Sequence, residues 1–143
     1  MNKIEQAIYN HMMNFQNFSN KRDTLICRYS HDNFEIRYFL WNSELFNFTF
    51  DGHQFIPKIT NNKYKTLTTK KRLNIVFQFL FDYFENIKTF SGDNIYIYQK
   101  NFEWYINFNG DNFVFDELKD DNGWITLIPN KINEKISANK FIK

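Results

Sequence analysis

The chain has 143 residues, a formal net charge of +2, 43% hydrophobic residues and 20% aromatic residues. This length suits a single domain over residues 1–143, and a charge so close to balance says nothing about partners, because only large fields imply nucleic acid or membranes. The single cysteine, Cys27, excludes an internal disulfide and a paired-cysteine zinc motif.

The sequence carries no signal for export or membrane insertion. Residues 1–18 alternate apolar and polar side chains and lack the apolar stretch and cleavage site of a secretion signal. No run approaches the ~18 apolar residues of a membrane span. A lone cysteine suits a reducing compartment. We therefore expect a cytoplasmic protein with no membrane segment.

Asn, Lys, Ile, Phe and Tyr dominate the composition, whereas Ala and Val are rare. This is the composition that A/T-rich codons give, so the abundance of Asn and Phe reflects the genome before it reflects any site. Such a composition is typical of low-GC bacteria, phages and mobile elements.

Apolar residues at helical spacing predict an amphipathic helix over residues 3–18. Residues 24–29 and 34–41 have the composition of strands on either side of a polar turn. A third strand, residues 44–50, completes the first part of a meander.

The third strand runs into Asp51-Gly52, a strong hairpin signal because both turn positions need a positive φ. Residues 53–56 then return as a fourth strand. Pro57 cannot donate a backbone hydrogen bond, which predicts that this strand ends at a sheet edge.

Residues 68–90 predict one long helix around which the rest of the chain is organised. Two apolar rows at helical spacing indicate that it is covered on more than one side. The first row is Leu73, Val76, Phe77, Leu80, Phe84 and Ile87, the second is Ile75, Phe79 and Tyr83, and the narrow polar stripe is Lys71, Asn74, Gln78, Asp82 and Glu85.

Four more strands are predicted after this helix, over residues 95–99, 102–108, 112–117 and 124–128. Alternation along the second of them places Phe102, Trp104, Ile106 and Phe108 on a core-facing side. Residues 130–138 either form a short helix or stay loose with the lysine-rich end.

The expected fold class is therefore α+β. We expect an antiparallel sheet of about seven to eight strands in two meanders, curled around the long hydrophobic helix, in the order α-ββββ-α-ββββ-(α). Asn33-Phe34-Glu35 and Asn101-Phe102-Glu103 repeat the same letters, which hints at a duplicated helix-plus-meander unit.

No catalytic or cofactor motif stands out. His11, His31 and His53 lack metal-binding spacing, and Cys27 shares a strand face with apolar neighbours, as a buried inert thiol would. Four glycines build no phosphate-cradling loop. We expect no enzyme, no cofactor and no metal site.

The order helix, three strands, helix, strand resembles the core of the restriction-endonuclease-like superfamily. In that family an Asp and a Glu-x-Lys on neighbouring strands hold a metal, and Asp32 and Glu44 fall at matching places. Phe46 stands where the Lys belongs, and the Glu117-Leu118-Lys119 run comes after the second helix. The resemblance is topological and implies at most a degenerate nuclease.

A basic stretch leads into the central helix without an intervening acid. Cations at a helix N-terminus oppose the helix dipole, so together with free backbone N–H groups they form a potential anion site. The alternative is that abundant lysines simply reach into water. The candidate residues are Lys58, Lys63, Lys65, Lys70, Lys71 and Arg72.

A helix that opens with Thr69-Lys70-Lys71 after a helix and three strands resembles the double-stranded-RNA-binding domain, whose second helix grips phosphates with lysines. The glycine-rich loop of that family is missing here, and bulky Phe stands where it packs Ala. The resemblance implies RNA or DNA backbone binding as an alternative function.

A second charged segment is acidic and contains Asp116, Glu117, Asp120 and Asp121. It does not fit a calcium loop, because Pro129 occupies the place of the bidentate carboxylate. The segment is either a solvated turn or a surface that faces a basic partner, as in proteins that occupy nucleic-acid channels.

The first functional expectation is a small non-enzymatic binding module that occupies a protein or ribonucleoprotein partner. It depends on the lack of catalytic motifs, the aromatic content, and separate charged segments at 58–72 and 111–121. The A/T-rich composition favours inhibitors of host defence encoded by phages or mobile elements (anti-CRISPR-like), or immunity proteins. Nucleic-acid binding is the alternative, and a nuclease is less favoured.

Overall fold

The computed structural model describes residues 1–30, 33–50, 55–84, 95–108 and 110–127. Within them the chain has two α-helices, nine strands and one 3₁₀ helix, and the strands form two antiparallel sheets. The predicted α+β class is confirmed. The single sheet that we expected is instead divided into two.

Helix α1 spans Lys3–Met13, and the side chain of Asn2 caps it by accepting a hydrogen bond from the backbone N–H of Glu5. The helix stops before the predicted residue 18 because Phe15 adopts a left-handed conformation, with φ of 55°. Beyond this turn Phe18 belongs to a strand and pairs with the strand that follows.

The larger sheet has the strand order β1-β2-β3-β4-β5-β9. Each of its first five strands pairs with the next in sequence; β2 to β5 correspond to the four predicted strands, whereas the short β1 was not predicted, and the last strand of the described chain joins at the far edge. The strands are β1 Phe18–Ser19, β2 Asp23–Ser30, β3 Asn33–Leu40, β4 Ser43–Phe50, β5 Phe55–Ile59 and β9 Ile125–Thr126. Residues 31–32 of the first predicted turn, the predicted turn Asp51-Gly52, and residues 53–54 of the predicted fourth strand lie outside the described residues.

Pro57 lies inside β5, not at its end, and β9 pairs beyond it, so the predicted sheet edge at this residue is wrong. The proline pairs with Phe48 of β4, and its carbonyl oxygen accepts from the N–H of Leu127 at 2.7 Å. The nitrogen and carbonyl of one strand residue point the same way. The missing N–H therefore faces the short β9 and removes no bond to β4.

Helix α2 spans Leu67–Phe84, and the described side chains of both predicted apolar rows are buried, except that Tyr83 is half-buried. The helix lies against α1, β4 and β6. Its buried hydrophobic residues are Leu73, Ile75, Val76, Phe77, Phe79 and Leu80. The predicted continuation to residue 90, and the side chain of Phe84, lie outside the described part of the chain.

The smaller sheet contains β6 Ile95–Lys100, β7 Glu103–Phe108 and β8 Asp111–Val114, followed by the 3₁₀ helix Phe115–Leu118. Trp104 and Ile106 are buried as predicted. Phe102 is not in the strand, because Lys100 pairs with Glu103 and the turn therefore consists of Asn101 and Phe102. Its side chain is 91% exposed, so its predicted place in the core is wrong.

The outer edge of β6 is covered by a side chain of α2. The Asn74 oxygen accepts from the backbone N–H of Ile97 at 2.9 Å, and its amide nitrogen donates to the Ile97 carbonyl at 3.3 Å. The asparagine thus takes the place of a neighbouring strand at this residue and joins the smaller sheet to the helix. Buried residues of both sheets and both helices form one contiguous cluster.

Candidate functional site

A groove of about 410 Å³ lies where the β3–β4 turn meets the start of α2. Its buried lining residues are Leu45, Thr69 and Leu40, and the two leucines belong to the hydrophobic core. Two exposed aromatic side chains, two more threonines and Ser43 complete the lining. The lining residues are Leu40, Trp41, Ser43, Leu45, Tyr64, Thr66, Thr68 and Thr69.

Trp41 occupies an unusual position at one side of the groove. It forms the β3–β4 turn with Asn42, and both residues have positive φ, of 50° and 65°. A left-handed conformation costs roughly 1–2 kcal/mol in a residue with a Cβ, and hairpins of this type prefer Asn-Gly. Because 58% of Trp41 is exposed, packing does not account for this residue at this position.

Tyr64 and Leu67 continue the exposed apolar surface, with 56% and 59% of their area accessible. The loop that carries Tyr64 is anchored by hydrogen bonds to the side chain of Asn61, which is completely buried. The Asn61 side-chain oxygen accepts from the N–H of Lys63 at 3.1 Å and from the Lys119 ammonium at 2.8 Å. Tyr64 is therefore displayed on an anchored loop.

The first turn of α2 closes one end of the groove. The Thr66 hydroxyl accepts from the backbone N–H of Thr69 at 3.1 Å, and the Thr66 carbonyl accepts from the N–H of Lys70 at the same distance. Thr66 is thus the N-cap, and the helix begins one residue earlier than predicted. Lys70 and Lys71 consequently lie in the second turn.

Arg72 is not available to a phosphate. Its side chain is buried, and its Nε donates to Oδ1 of Asp23 at 2.8 Å, while Tyr38 donates its hydroxyl proton to the same carboxylate. Burial alone would raise the pKa of Asp23, but the hydrogen bonds from Arg72 and Tyr38 outweigh it and hold that pKa below its ordinary value. The predicted anion-binding role of Arg72 is therefore corrected to a structural one.

The basic and acidic segments are not separate, because they meet at Asp116. Its carboxylate oxygens lie 2.7 Å from the Lys65 ammonium and 3.0 Å from that of Lys119. Lys65 also lies 3.9 Å from the Glu103 carboxylate. Asp116 and Lys65 thus neutralise each other, and neither presents a full charge to a partner.

The other predicted basic residues have different surroundings. Lys58 is half-buried on β5 between Asn47 and Thr126. Lys63 and Lys71 are exposed and Lys70 is half-buried, and none of these three forms an ion pair with a described residue.

The acidic candidates do not converge on one point. Asp120 organises its own turn, since its Oδ1 accepts from the backbone N–H groups of Asn122 and Trp124 at 2.9 and 3.0 Å. Glu117 and Asp121 are exposed. The solvated-turn interpretation of this segment describes Asp120 well.

The residues considered for chemistry are occupied or inert where the structure describes them. Burial raises the pKa of the Cys27 thiol to about 11. Glu44 accepts a hydrogen bond from Arg37, and the His11 ring lies against the carbonyl of Ala7. In the described ranges no three His, Cys, Asp or Glu side chains approach closely enough to hold a metal. His31, Asp32 and His53 lie outside those ranges.

Sequence reasoning missed the groove and its lining residues Trp41 and Tyr64. The predicted strand 34–41 ends with Trp41, whereas β3 ends at Leu40. The available signal was the asparagine that follows Trp41, a typical turn residue. No helix in the described ranges is both long and apolar enough to cross a membrane. No protein-family model, curated protein or solved structure matches the chain at a significant level.

Proposed function

We propose that this chain is a small non-enzymatic binding module that occupies a macromolecular partner through the groove beside Trp41. The observation that carries the proposal is the exposure of Trp41 and Tyr64 in the lining of a concave, partly apolar groove. Trp41 has a left-handed backbone conformation, but the exposed Phe102 shares it, so the groove beside Trp41 and not the strain carries the proposal.

The composition of this surface is that of a binding hot spot. Tryptophan and tyrosine dominate the binding energy of protein interfaces, and they do so most when they fill or flank a pocket with a polar rim. Here the buried leucines Leu40 and Leu45 supply the apolar base, and the side chains of Ser43 and three threonines supply polar groups around it. A partner side chain that entered the groove would be shielded from water by the two aromatic rings.

A protein or ribonucleoprotein partner is favoured over a nucleic-acid backbone because two cations of the basic stretch are paired with carboxylates. Arg72 is buried against Asp23 and Lys65 is paired with Asp116, which leaves fewer cations for phosphates. In the described ranges five strands lie between α1 and α2, which departs from the helix-three strands-helix order of the double-stranded-RNA-binding domain. The biological class that we propose is an inhibitor of host defence from a phage or mobile element, or an immunity protein, and it depends on composition.

The test uses two glycine variants of equal backbone geometry. Trp41→Gly removes the groove tryptophan, and Phe102→Gly removes an exposed aromatic residue from the other hairpin turn, where φ is also positive, at 66°. Each tagged protein is incubated with a lysate of the native host, and retained partners are identified and sized with and without nuclease.

We expect wild type and Phe102→Gly to retain the same partner and Trp41→Gly to lose it, with no effect of nuclease. Equal retention by Trp41→Gly would show that the groove is not the binding surface. Release by nuclease would favour the alternative, in which RNA or DNA is bound directly.

A further inference from the structure

The charges around the groove have one sign. Lys71 follows Leu67 by four positions and Thr68 by three, so these side chains share one face of α2, next to the groove. Lys70 precedes it on the same helix. On the opposite side, the carbonyl of Arg22 accepts from the N–H of Trp41 at 2.8 Å, which brings the basic residues 21–22 beside the turn.

The nearby acids do not balance these cations. Asp23 is buried and paired with Arg72, and Glu44 is paired with Arg37. No described charged residue lines the groove itself, so the cations act on a ligand from the neighbouring positions of α2 and from residues 21–22. The N-terminal end of the α2 helix dipole is positive, and no acidic residue in the first turn offsets it. It therefore adds to the positive electrostatic field of the lysines. The groove is therefore complementary to a negatively charged partner.

The shape of the groove limits what the negative partner can be. A volume of about 410 Å³ above buried leucines suits one bulky apolar side chain and its neighbours. A single nucleic-acid strand is held by a series of aromatic residues along a basic channel, whereas Trp41 and Tyr64 flank one groove. The chain's own residues 128–143 carry four lysines and one glutamate, so they have the same sign as the surroundings of the groove.

We infer that the groove binds an acidic polypeptide segment of the partner, with one bulky apolar side chain inserted between Trp41 and Tyr64 and its carboxylates facing Lys70 and Lys71. This inference rests on the proposed function and names the chemistry of the partner at the same site. The apolar side chain supplies the binding free energy by burial, and the carboxylates give the rate of association and the choice of partner.

The experiment selects ligands without assuming a partner. A displayed library of random 12-residue peptides is passed over the bare support to remove unspecific binders, and then selected in parallel on immobilised wild type and on immobilised Trp41→Gly. Enriched peptides are synthesised together with versions in which Asp and Glu are replaced by Asn and Gln. Affinities are measured at about 0.15 M salt for wild type, Trp41→Gly, Phe102→Gly and Lys70→Glu/Lys71→Glu. Oligothymidylate and oligouridylate of 12 nucleotides are measured in parallel.

We expect enriched peptides to be acidic around one bulky apolar residue. Their affinity should fall about tenfold or more in the amide versions, in Trp41→Gly and in Lys70→Glu/Lys71→Glu, and stay unchanged in Phe102→Gly. Neutral or basic peptides that need Trp41 but not the lysines would overturn this inference and leave the proposed function intact. Peptides that bind Trp41→Gly as well as wild type would overturn both.

Two further results would also reject the acidic segment. One is the absence of any peptide enriched on wild type over Trp41→Gly. The other is an oligonucleotide that binds wild type more tightly than every selected peptide and loses affinity in Trp41→Gly. That second result would make single-stranded nucleic acid the ligand of the groove.

Discussion

Nε of Arg72 on helix α2 donates a hydrogen bond to Oδ1 of Asp23 at the start of β2, 2.8 Å away, and both side chains are almost completely buried. The pair fastens the helix to the larger sheet at the end where the groove lies. Tyr38 donates to the same carboxylate, so three elements share one buried charge.

Removal of either partner should therefore destabilise the fold strongly. Asp23→Asn leaves the Arg72 cation buried without its counter-charge, and Arg72→Met leaves the Asp23 anion, each at a cost of about 3–5 kcal/mol in the free energy of unfolding. The double variant should lose less than the sum of the two. Urea unfolding of all four proteins measures these values, and single losses below about 1 kcal/mol would contradict the role of the pair.

The same pair predicts a dependence of stability on pH. The pKa of Asp23 is lower in the folded protein than its ordinary value of 3.8, so the unfolded chain binds a proton more readily. The stabilisation is complete above that ordinary value and is lost as the pH falls through the folded pKa. Unfolding measured from about pH 6 to about pH 2 should show a steeper loss for wild type than for Asp23→Asn. Parallel curves would disprove the assignment.

Charge reversal at the start of α2 separates surface lysines from the buried arginine. Lys70→Glu/Lys71→Glu should change stability by less than about 0.5 kcal/mol, because both residues lack an ion pair with a described residue and acids suit this end of a helix. Addition of Arg72→Glu should cost more than about 3 kcal/mol, since two carboxylates would then face each other in the core. Thermal unfolding distinguishes them, and equal melting temperatures would show that Arg72 is not structural.

Glycine at the two aromatic turn positions should not weaken the fold. Trp41 and Phe102 both have positive φ and large exposed side chains, so relief of roughly 1–2 kcal/mol of backbone strain offsets the extra entropy that glycine gives the unfolded chain. We expect Trp41→Gly and Phe102→Gly to unfold at the same denaturant concentration as wild type or at a higher one. A loss above about 1 kcal/mol in either variant would mean that the ring supports the core.

Asn74 should contribute to the smaller sheet out of proportion to its size. Asn74→Ala leaves the backbone groups of Ile97 without their partners, which should cost about 1–3 kcal/mol. Gln78→Ala, one turn later on the exposed face, is the control and should cost less than about 0.5 kcal/mol. Amide hydrogen exchange at Ile97 should accelerate in the first variant alone.

Periodicity predicted the buried parts of this protein better than its surface. The two apolar rows of α2 and the hairpins β2 to β4 follow directly from the spacing of apolar side chains, since burial enforces that spacing. The pairing of β9 with β5 was not predictable, because two residues carry too little pattern to choose a neighbour.

The two Asn-Phe-Glu tripeptides form different structures although their sequences are identical. Phe34 lies in β3 and packs against Phe48, whereas Phe102 occupies a turn and is exposed, although both stand between Asn and Glu. Local composition does not decide between these outcomes, and the register of the hairpin does. The sequence likewise predicted Arg72 to be a surface cation, because sequence alone does not show that the Asp23 carboxylate of β2 lies beside it.

Because of the ion pairs around Asp116, ionic strength should affect the affinity for a partner in two ways. Lys65 follows Tyr64 directly, and its side chain forms an ion pair with Asp116 of the 3₁₀ helix that follows the smaller sheet. This ion pair therefore helps to hold Tyr64, which lines the groove. Both members of this pair are partly exposed, and ions in solution weaken such contacts. Rising ionic strength should thus screen the attraction of the lysines for a partner and, independently, loosen the position of Tyr64. The affinity for a partner should therefore fall with increasing salt more steeply than screening of the lysines alone would cause.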